Sequence, residues 1–236
     1  MRMEDSRAAT AAGPRAARRR PQWLLPGALL LILVLLTINV LGHGPLLGAD
    51  ARIRTIVQAQ ANSAMWRWLS DHSYSPAQLL VDLGYVEVAV PILAVCTLVA
   101  MIRRRSLRPL LAAFAAVLLL LGTVIPAKIL IGRAGPGYTT VSPGGLGVFP
   151  SGHTATSSVC LGVGVAVLLP LLSAQAGRVA VAVVAAVCLL VGVALVWCDY
   201  HWFTDVVAGW ALAGLIIQGS LLVSRWPLPP WARGRE

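Results

Sequence analysis

The sequence has few charged residues, and this scarcity already limits the class of protein. Only 12% of the 236 residues are charged, about half of the roughly 25% found in soluble domains, whereas 58% are apolar. Acids number nine and lysine occurs once, at Lys128, so the net charge of +10 comes almost entirely from arginine. This composition excludes an ordinary soluble enzyme and a disordered chain. The arginines cluster beside apolar runs, which argues against a nucleic-acid partner.

Cysteine is also scarce. The four cysteines lie within or near the ends of apolar runs, at Cys96, Cys160, Cys188 and Cys198. Their uneven spacing predicts neither a disulfide framework nor a zinc site. We interpret them as small side chains buried in the membrane.

Six long apolar segments dominate the sequence. Each approaches the roughly 20 residues that a helix needs to cross the hydrocarbon core, and none alternates as the strands of a barrel would. We therefore predict an all-α, polytopic membrane protein with a bundle of six transmembrane helices. The predicted spans are residues 23–41, 83–102, 110–131, 154–172, 179–197 and 206–223.

The placement of the basic residues predicts the orientation of these spans. Fourteen of the nineteen fall on one side, which the positive-inside bias makes cytoplasmic. We predict a multi-pass protein of the cell (plasma) membrane with both termini in the cytoplasm. All four histidines and six of the nine acids then lie on the outer side, which favours chemistry at the outer face. The basic residues on that side are Arg52, Arg54, Arg67, Lys128 and Arg133.

The chain divides into one membrane domain and two short tails. We predict that residues 1–20 form a disordered basic cytoplasmic tail that touches anionic lipid. Residues 21–226 are predicted to form the six-helix domain, and residues 227–236 a second, short cytoplasmic tail. The first span could instead be a secretory signal, because arginines precede it and residues 49–51 resemble a cleavage site. Its apolar stretch exceeds the roughly 7–15 residues of a signal core, which favours a retained helix.

Residues 51–69 are too polar to span the membrane, but their apolar side chains recur at helical spacing. We predict an interfacial amphipathic helix in the first outer loop. A packed loop helix is the simpler interpretation, and a lid or lipid-access element is the functional alternative.

The segment Pro-Ser-Gly-His at residues 150–153 follows a loop rich in Gly and Pro and leads into a predicted helix. The first backbone N–H groups of a helix bind anions, and Ser151 adds a hydroxyl donor. Gly152 lets the backbone approach a ligand closely. His153 then lies beside a bound anion, where it can protonate a leaving oxygen. A serine N-cap with a chance histidine is the alternative interpretation.

His201 and Asp205 are four residues apart, so we expect them to share one face of a helix. A carboxylate bonded to one imidazole nitrogen leaves the other nitrogen basic, and such a histidine can act as a nucleophile. An interfacial histidine beside a helix-capping acid is the alternative.

Lys128 and Arg133 lie at the outer end of the third span. A charged side chain at a span boundary costs free energy without a partner, so we expect these cations to hold an anion, although snorkelling to the interface is the alternative. Two cations, a helix start and two histidines together suggest a phosphoryl group. We expect no metal and no cofactor, since the acids are scattered and the nearby cations would repel a metal ion.

Taken together, these motifs resemble the type-2 phosphatidic acid phosphatase superfamily of membrane lipid phosphatases. The family pattern is Lys, then Arg-Pro, then Pro-Ser-Gly-His, then Ser-Arg followed by five residues, His, three residues and Asp. The resemblance covers residues 127–209.

The resemblance implies a role for each matching residue. His201 would attack phosphorus and form a phosphohistidine, Asp205 would orient His201, and His153 would protonate the leaving group and later activate water. The family needs no metal. The residues implied to hold the phosphoryl oxygens are Lys128, Ser151 and the backbone N–H of Gly152.

The sequence departs from the family pattern at two arginines. Where the family has an arginine immediately before the proline, this sequence has Gly135 before Pro136. Arg133 is expected to replace that family arginine as a phosphate-binding residue. The second is Leu195, and the loss of one bidentate guanidinium costs several kcal/mol of transition-state stabilisation unless another cation replaces it. The outer arginines available to replace it are Arg52, Arg54 and Arg67.

The sequence thus predicts a metal-independent phosphatase for a lipid phosphate or diphosphate at the outer membrane face. Undecaprenyl diphosphate is a favoured substrate, because the family recycles it in bacteria; phosphatidate, phosphatidylglycerol phosphate and other polyprenyl phosphates remain open. The alternatives are a lipid phosphotransferase of the same fold and a catalytically weakened lipid-binding member. The partners predicted are the lipid substrate and the membrane lipids, and the oligomeric state stays open.

Overall fold

The protein is represented by a computed structural model that describes residues 23–63, 75–141 and 145–225. These residues form α-helices without any strand. The helices are α1 (Leu24–Leu41), α2 (Leu46–Ala61), α3 (Pro76–Asp82), α4 (Val86–Arg104), α5 (Arg108–Ile131), α6 (Gly152–Leu168), α7 (Ala174–Trp197) and α8 (Phe203–Val223). A short 3-10 turn, Leu169–Leu171, extends α6.

The prediction of an all-α bundle with six membrane-spanning helices is confirmed. Among the described residues, six helices are long and apolar enough to cross a membrane, namely α1 and α4 to α8. Their ends lie within a few residues of the predicted ones, except that α7 begins at Ala174 rather than at residue 179. The orientation in the membrane stays a prediction, and the two predicted tails, residues 1–20 and 227–236, lie outside the described residues.

Helices α6 and α8 form the centre of the bundle. About half of each span is buried inside the protein, 56% for α6 and 44% for α8, compared with 11% for α1. Helix α6 packs against α4, α5, α7 and α8, and small residues allow this close approach. A Cβ atom on Gly209 of α8 would lie only 2.9 Å from the Cβ of Thr154 in α6.

The predicted amphipathic helix of the first outer loop is present as α2, but it begins at Leu46, five residues before the predicted start. Residues 64–69 of the prediction lie outside the described residues. Helix α2 packs against α1, α7 and α8, and its Asp50 is buried with 2% exposure. This side chain gives α2 a polar contact with the bundle as well as an apolar one. Its position at a membrane surface stays a prediction.

The four cysteines are unpaired in the structure. Cys160 and Cys188 are buried, whereas Cys96 and Cys198 are half-buried.

Candidate active site

The three sequence motifs meet at one end of the bundle. The start of α6 contacts the start of α8, where the N–H of Ser151 donates to the carbonyl of Asp205 at 3.0 Å. The rings of His153 and His201 lie next to each other in an edge-to-face arrangement, with their centroids 6.3 Å apart. The end of α5 joins them, since the Cε of Lys128 lies 3.3 Å from the place a Cβ on Gly152 would occupy. Residues far apart in sequence thus form a single polar cluster.

The start of α6 is capped by its own sequence. Ser151 is the N-cap, and its Oγ accepts a hydrogen bond from the Thr154 N–H at 3.3 Å and another from Thr154 Oγ1 at 2.9 Å. The serine is fully buried. Its hydroxyl accepts both bonds, so its own proton remains available for a bound anion. The N-cap interpretation is therefore correct, and it is compatible with a ligand-binding role.

His153 presents one ring nitrogen without a protein partner. Its Nε2 is buried and has no hydrogen bond within the part of the chain that the structure describes. The ring of Tyr85 packs against it edge-on at 4.7 Å, and a Cβ on Gly84 would lie 2.6 Å from the Cβ of His153. The α3–α4 connection thus fixes the position of the ring and leaves a nitrogen free to exchange a proton with a ligand.

His201 and Asp205 lie together, but they do not share a helix face as expected. Helix α8 begins at Phe203, so His201 belongs to the preceding loop and Asp205 to the first turn of the helix. Asp205 is fully buried, and its Oδ2 accepts the Trp202 N–H at 3.0 Å and lies 3.5 Å from Nδ1 of His201. The carboxylate thus caps the helix and faces the imidazole at once, which combines the two interpretations of this pair.

Lys128 extends from the last turn of α5 toward the start of α6. Its Nζ donates to the carbonyl of Gly147 at 2.8 Å. Helix α5 ends at Ile131, and the following Gly132, with a φ of 57°, turns the chain in a left-handed conformation that glycine adopts easily. This turn separates Lys128 from Arg133 and directs the two cations to different partners.

Arg133 contacts two carboxylates. Its Nη1 donates to Asp205 and, at 2.8 Å, to the hydroxyl of Thr204, while its Nη2 donates to Asp50 at 2.7 Å. The guanidinium also lies 5.3 Å from the centre of the Trp202 ring. The side chain is only 9% exposed. Its contacts therefore place Arg133 beside the carboxylate that faces His201.

Asp50 is a part of the site that sequence reasoning missed. It comes from α2, outside every motif, and its carboxylate accepts the N–H of Thr204 at 3.0 Å, the Thr204 hydroxyl and Arg133. The sequence placed Asp50 on the outer side, but gave no reason to select it among the acids there. One faint signal exists, since it is the sole acid of a helix that also carries two arginines.

A second ion pair attaches α2 to the same loop. Arg54 donates twice to Asp199, at 2.7 and 2.6 Å, and both side chains are about one-third exposed. This hydrogen bonding raises the pKa of the Arg54 guanidinium above its ordinary value. Arg54 was a candidate replacement for the missing family arginine, but its partner is Asp199. Of the other candidates, Arg52 is exposed and Arg67 lies outside the described residues.

The two positions that depart from the family pattern have apolar neighbours. Leu195 is fully buried in a cluster with Val81, Val191 and Val206. A Cβ on Gly135 would contact the side chain of Val148 at 3.3 Å. The buried position of Leu195 has no room for a guanidinium without rearrangement, whereas Gly135 lines the cavity next to Arg54. Leu195 acts through its backbone, since its carbonyl accepts the N–H groups of Tyr200 and His201 at 2.9 and 3.4 Å.

A cavity of about 780 Å³ lies beside Lys128 and Arg133. Its lining includes both polar and apolar residues; His43 is among them, whereas His153 and His201 are not. A second cavity of about 670 Å³ adjoins it along the α5–α6 loop and reaches Arg54 and Asp199. The apolar residues of the first cavity include Val40, Leu41, Leu47, Ile129 and Ile131.

The described residues contain no group of three His, Cys, Asp or Glu side chains arranged to hold a metal ion. The polar cluster instead combines two histidines, two carboxylates and two cations. Its chemistry is that of proton transfer and anion binding.

Comparison with known proteins agrees with this chemistry. The chain matches the PAP2 superfamily over residues 106–228, just over half its length. Its fold is similar to the "first transmembrane PAP2 type phosphatidylglycerolphosphate phosphatase from Bacillus subtilis", with a TM-score of 0.68 and 20% identity over 83% of this chain and 93% of that one. No curated protein matches the sequence. The chain belongs to the PAP2 superfamily of membrane lipid phosphatases.

Proposed function

We propose that the protein hydrolyses a lipid phosphate or diphosphate through a phosphohistidine on His201. The observation that carries this proposal is the meeting of two histidines at the starts of α6 and α8, with a carboxylate behind one of them. Phosphatase activity agrees with membership of the family.

The first half of the reaction transfers the phosphoryl group to the protein. Because Nδ1 of His201 faces Asp205, its Nε2 is the nitrogen that attacks phosphorus. The bond between phosphorus and the lipid oxygen breaks, and His153 gives its proton to that oxygen. The lipid leaves as an alcohol, or as a monophosphate if the substrate is a diphosphate.

The second half returns the phosphoryl group to water. His153, now neutral, takes a proton from a water molecule that attacks the phosphohistidine. The P–N bond breaks, phosphate leaves, and both histidines recover their starting states. The free Nε2 of His153 is available for both proton transfers.

The phosphoryl oxygens bind at the start of α6. The N–H of Gly152, the hydroxyl of Ser151 and the ammonium of Lys128 converge there, and the helix dipole adds positive potential. Arg133 contributes positive charge from behind Asp205, to which its Nη1 donates a hydrogen bond. Charge is thus stabilised where it develops in the transition state.

The substrate is proposed to be a lipid at the outer leaflet. The arginine distribution supports an outward-facing site, and the cavity beside Lys128 has both polar residues that suit a headgroup and apolar residues that suit the lipid chain. Undecaprenyl diphosphate is our favoured substrate. The Bacillus subtilis protein of similar fold is a phosphatidylglycerolphosphate phosphatase, so that lipid belongs in the same test.

Leu195 favours a second candidate function, that of a weakened enzyme that mainly binds lipid. Its side chain fills an apolar cluster where the family has a guanidinium. The two functions differ in turnover, since a binding protein would retain lipid phosphate without forming a phosphohistidine.

The test is phosphate release by the purified protein in detergent, from a panel of phosphatidate, phosphatidylglycerol phosphate and undecaprenyl mono- and diphosphate. We expect release that EDTA does not reduce, acid-labile labelling of His201 during turnover, and loss of both in His201→Ala. Labelled product on an added lipid or sugar acceptor would identify a phosphotransferase. Absence of phosphate release from every lipid, or a fully active His201→Ala variant, would refute the proposal.

A further inference from the structure

Asp50 completes a buried chain of charges behind the proposed nucleophile. The chain runs from Asp50 to Arg133 and on to Asp205, which faces His201. The side chains of Asp50 and Asp205 are essentially inaccessible, with 1% and 0% exposure, and that of Arg133 is 9% exposed. Charges this deeply buried interact strongly, because water screens them little.

Charge balance along this chain determines how much of Asp205 is available to His201. Asp50 and Arg133 neutralise each other, which leaves the negative charge of Asp205 to balance the positive charge that develops on His201. Without the carboxylate at position 50, Arg133 would be balanced by Asp205 alone. The imidazole would then lose its counter-charge when phosphorus is attacked.

Asp50 also fixes where α8 begins. Its carboxylate accepts the N–H of Thr204, one of the first backbone donors of the helix, which have no partner within the helix itself. A helix start is usually capped by the residue immediately before it. Here the acceptor comes from α2, 154 positions earlier in the sequence.

We propose that Asp50 is a positioning residue for the His201–Asp205 pair, acting through Arg133 and Thr204. The inference rests on the proposed function. It also assigns Arg133 mainly to the carboxylates, whereas the sequence predicts that Arg133 binds phosphate.

The ion pair of Arg54 and Asp199 provides a matched control. It too joins α2 to the loop before α8, by two hydrogen bonds. It is about one-third exposed and its hydrogen bonds do not reach Asp205. Exposed pairs contribute little, because water screens them. Asp199 has a φ of 58°, which asparagine tolerates well, so Asp199→Asn removes the charge without backbone strain.

The first experiment measures kcat and KM for phosphate release by wild type, Asp50→Asn and Asp199→Asn. We expect Asp50→Asn to lower kcat about 10- to 100-fold with KM within about 3-fold, as for loss of a residue that orients a catalytic group. Asp199→Asn should keep both constants within about 2-fold. An unchanged kcat in Asp50→Asn, with an active wild type, would overturn this inference and leave the proposed function standing. An inactive wild type would overturn both.

The second experiment is the double variant Asp50→Asn/Arg133→Gln, which removes the two charges as a unit. If Arg133 competes for Asp205 once Asp50 is gone, the double variant should recover kcat at least about 5-fold over Asp50→Asn. This variant keeps the test decisive if the single variant does not fold, because it leaves the net charge of the buried cluster as in wild type; its kcat should then lie within about 10-fold of wild type. A further loss of kcat, or a large rise in KM, would show that Arg133 binds phosphate and overturn the inference.

Discussion

The starts of α6 and α8 carry the two histidines, and they are built in different ways. Helix α6 is capped by Ser151, the residue immediately before it, which accepts the N–H of Thr154. Helix α8 combines a local acceptor, Asp205, with Asp50 from a distant helix. One end of the site is therefore encoded within a few residues, whereas the other depends on how the whole bundle packs.

This difference matches the proposed division of labour. The α6 start binds the phosphoryl oxygens and exchanges protons, for which backbone N–H groups and one free imidazole nitrogen suffice. The α8 start must hold a nucleophile that gains positive charge, and it therefore has a buried negative charge with its own counter-ions. Variants at the two ends should accordingly fail in different steps.

The largest effect is expected at the histidines. His201→Ala should lower phosphate release at least about 10⁴-fold with every substrate, because no phosphohistidine can form. His153→Ala should lose about 10²- to 10⁴-fold with an alkyl phosphate, whose leaving oxygen needs a proton. With a nitrophenyl phosphate the leaving group needs no proton, so His153→Ala should release a burst of one nitrophenol per protein molecule.

Rapid-mixing measurements of nitrophenol with both variants distinguish the two roles. A nitrophenol burst from His201→Ala would show that His201 is not the nucleophile. No burst from His153→Ala, together with full activity of this variant on the alkyl phosphate, would show that His153 is not the proton donor. Either result would mean that the roles assigned to the two histidines must be exchanged. Equal losses with both leaving groups would show that His153 acts in positioning rather than in proton transfer.

The next effect concerns the contact that joins the two helix starts. A Cβ on Gly209 would lie 2.9 Å from the Cβ of Thr154 and 3.0 Å from the carbonyl of Ser151, neither of which can move without moving α6. Gly209→Ala should therefore lower the free energy of unfolding by about 1–3 kcal/mol and reduce kcat. Gly219→Ala on the same helix is the control, because its Cβ would make an ordinary contact of 3.5 Å.

Thermal unfolding in detergent and phosphate release check this pair of variants. The control should be as stable as wild type and as active. Gly209→Ala protein with wild-type stability and kcat would show that the two helix starts need not be as close as the structure places them.

The sequence was sufficient for the elements whose signal is local. A run of apolar residues is enough to identify a span, so the six helices were predicted to within a few residues, apart from the start of α7. The segment before α6 was predicted in the same way, since an N-cap and its partner lie three residues apart. In contrast, the start of α8 was misjudged, because a spacing of four residues does not reveal that the helix begins between His201 and Asp205.

Asp50 was not identified for a different reason. Its partners lie 83 and 154 positions away, and nothing near Asp50 in the sequence indicates that its carboxylate is buried. The charge of Arg133 was recognised as important, but its partners were assumed to be ligand oxygens. Distinguishing a guanidinium that binds substrate from one that binds buried carboxylates requires the packing of α2, which single-sequence periodicity does not give.

The smallest effect separates the structural from the chemical role of Ser151. Ser173 caps α7 in the same way, with its Oγ accepting the N–H of Ala176 at 3.2 Å in an exposed position away from the histidines. Each Ser→Ala variant should lower the free energy of unfolding by about 1 kcal/mol, measured by thermal or denaturant unfolding. Ser173→Ala should keep wild-type KM and kcat, whereas Ser151→Ala should also lose kcat/KM about 5- to 10-fold, the value of one neutral hydrogen bond to the phosphoryl oxygens. Equal stability losses with equal activities would assign Ser151 to capping alone and leave Gly152 and Lys128 as the groups that bind phosphate.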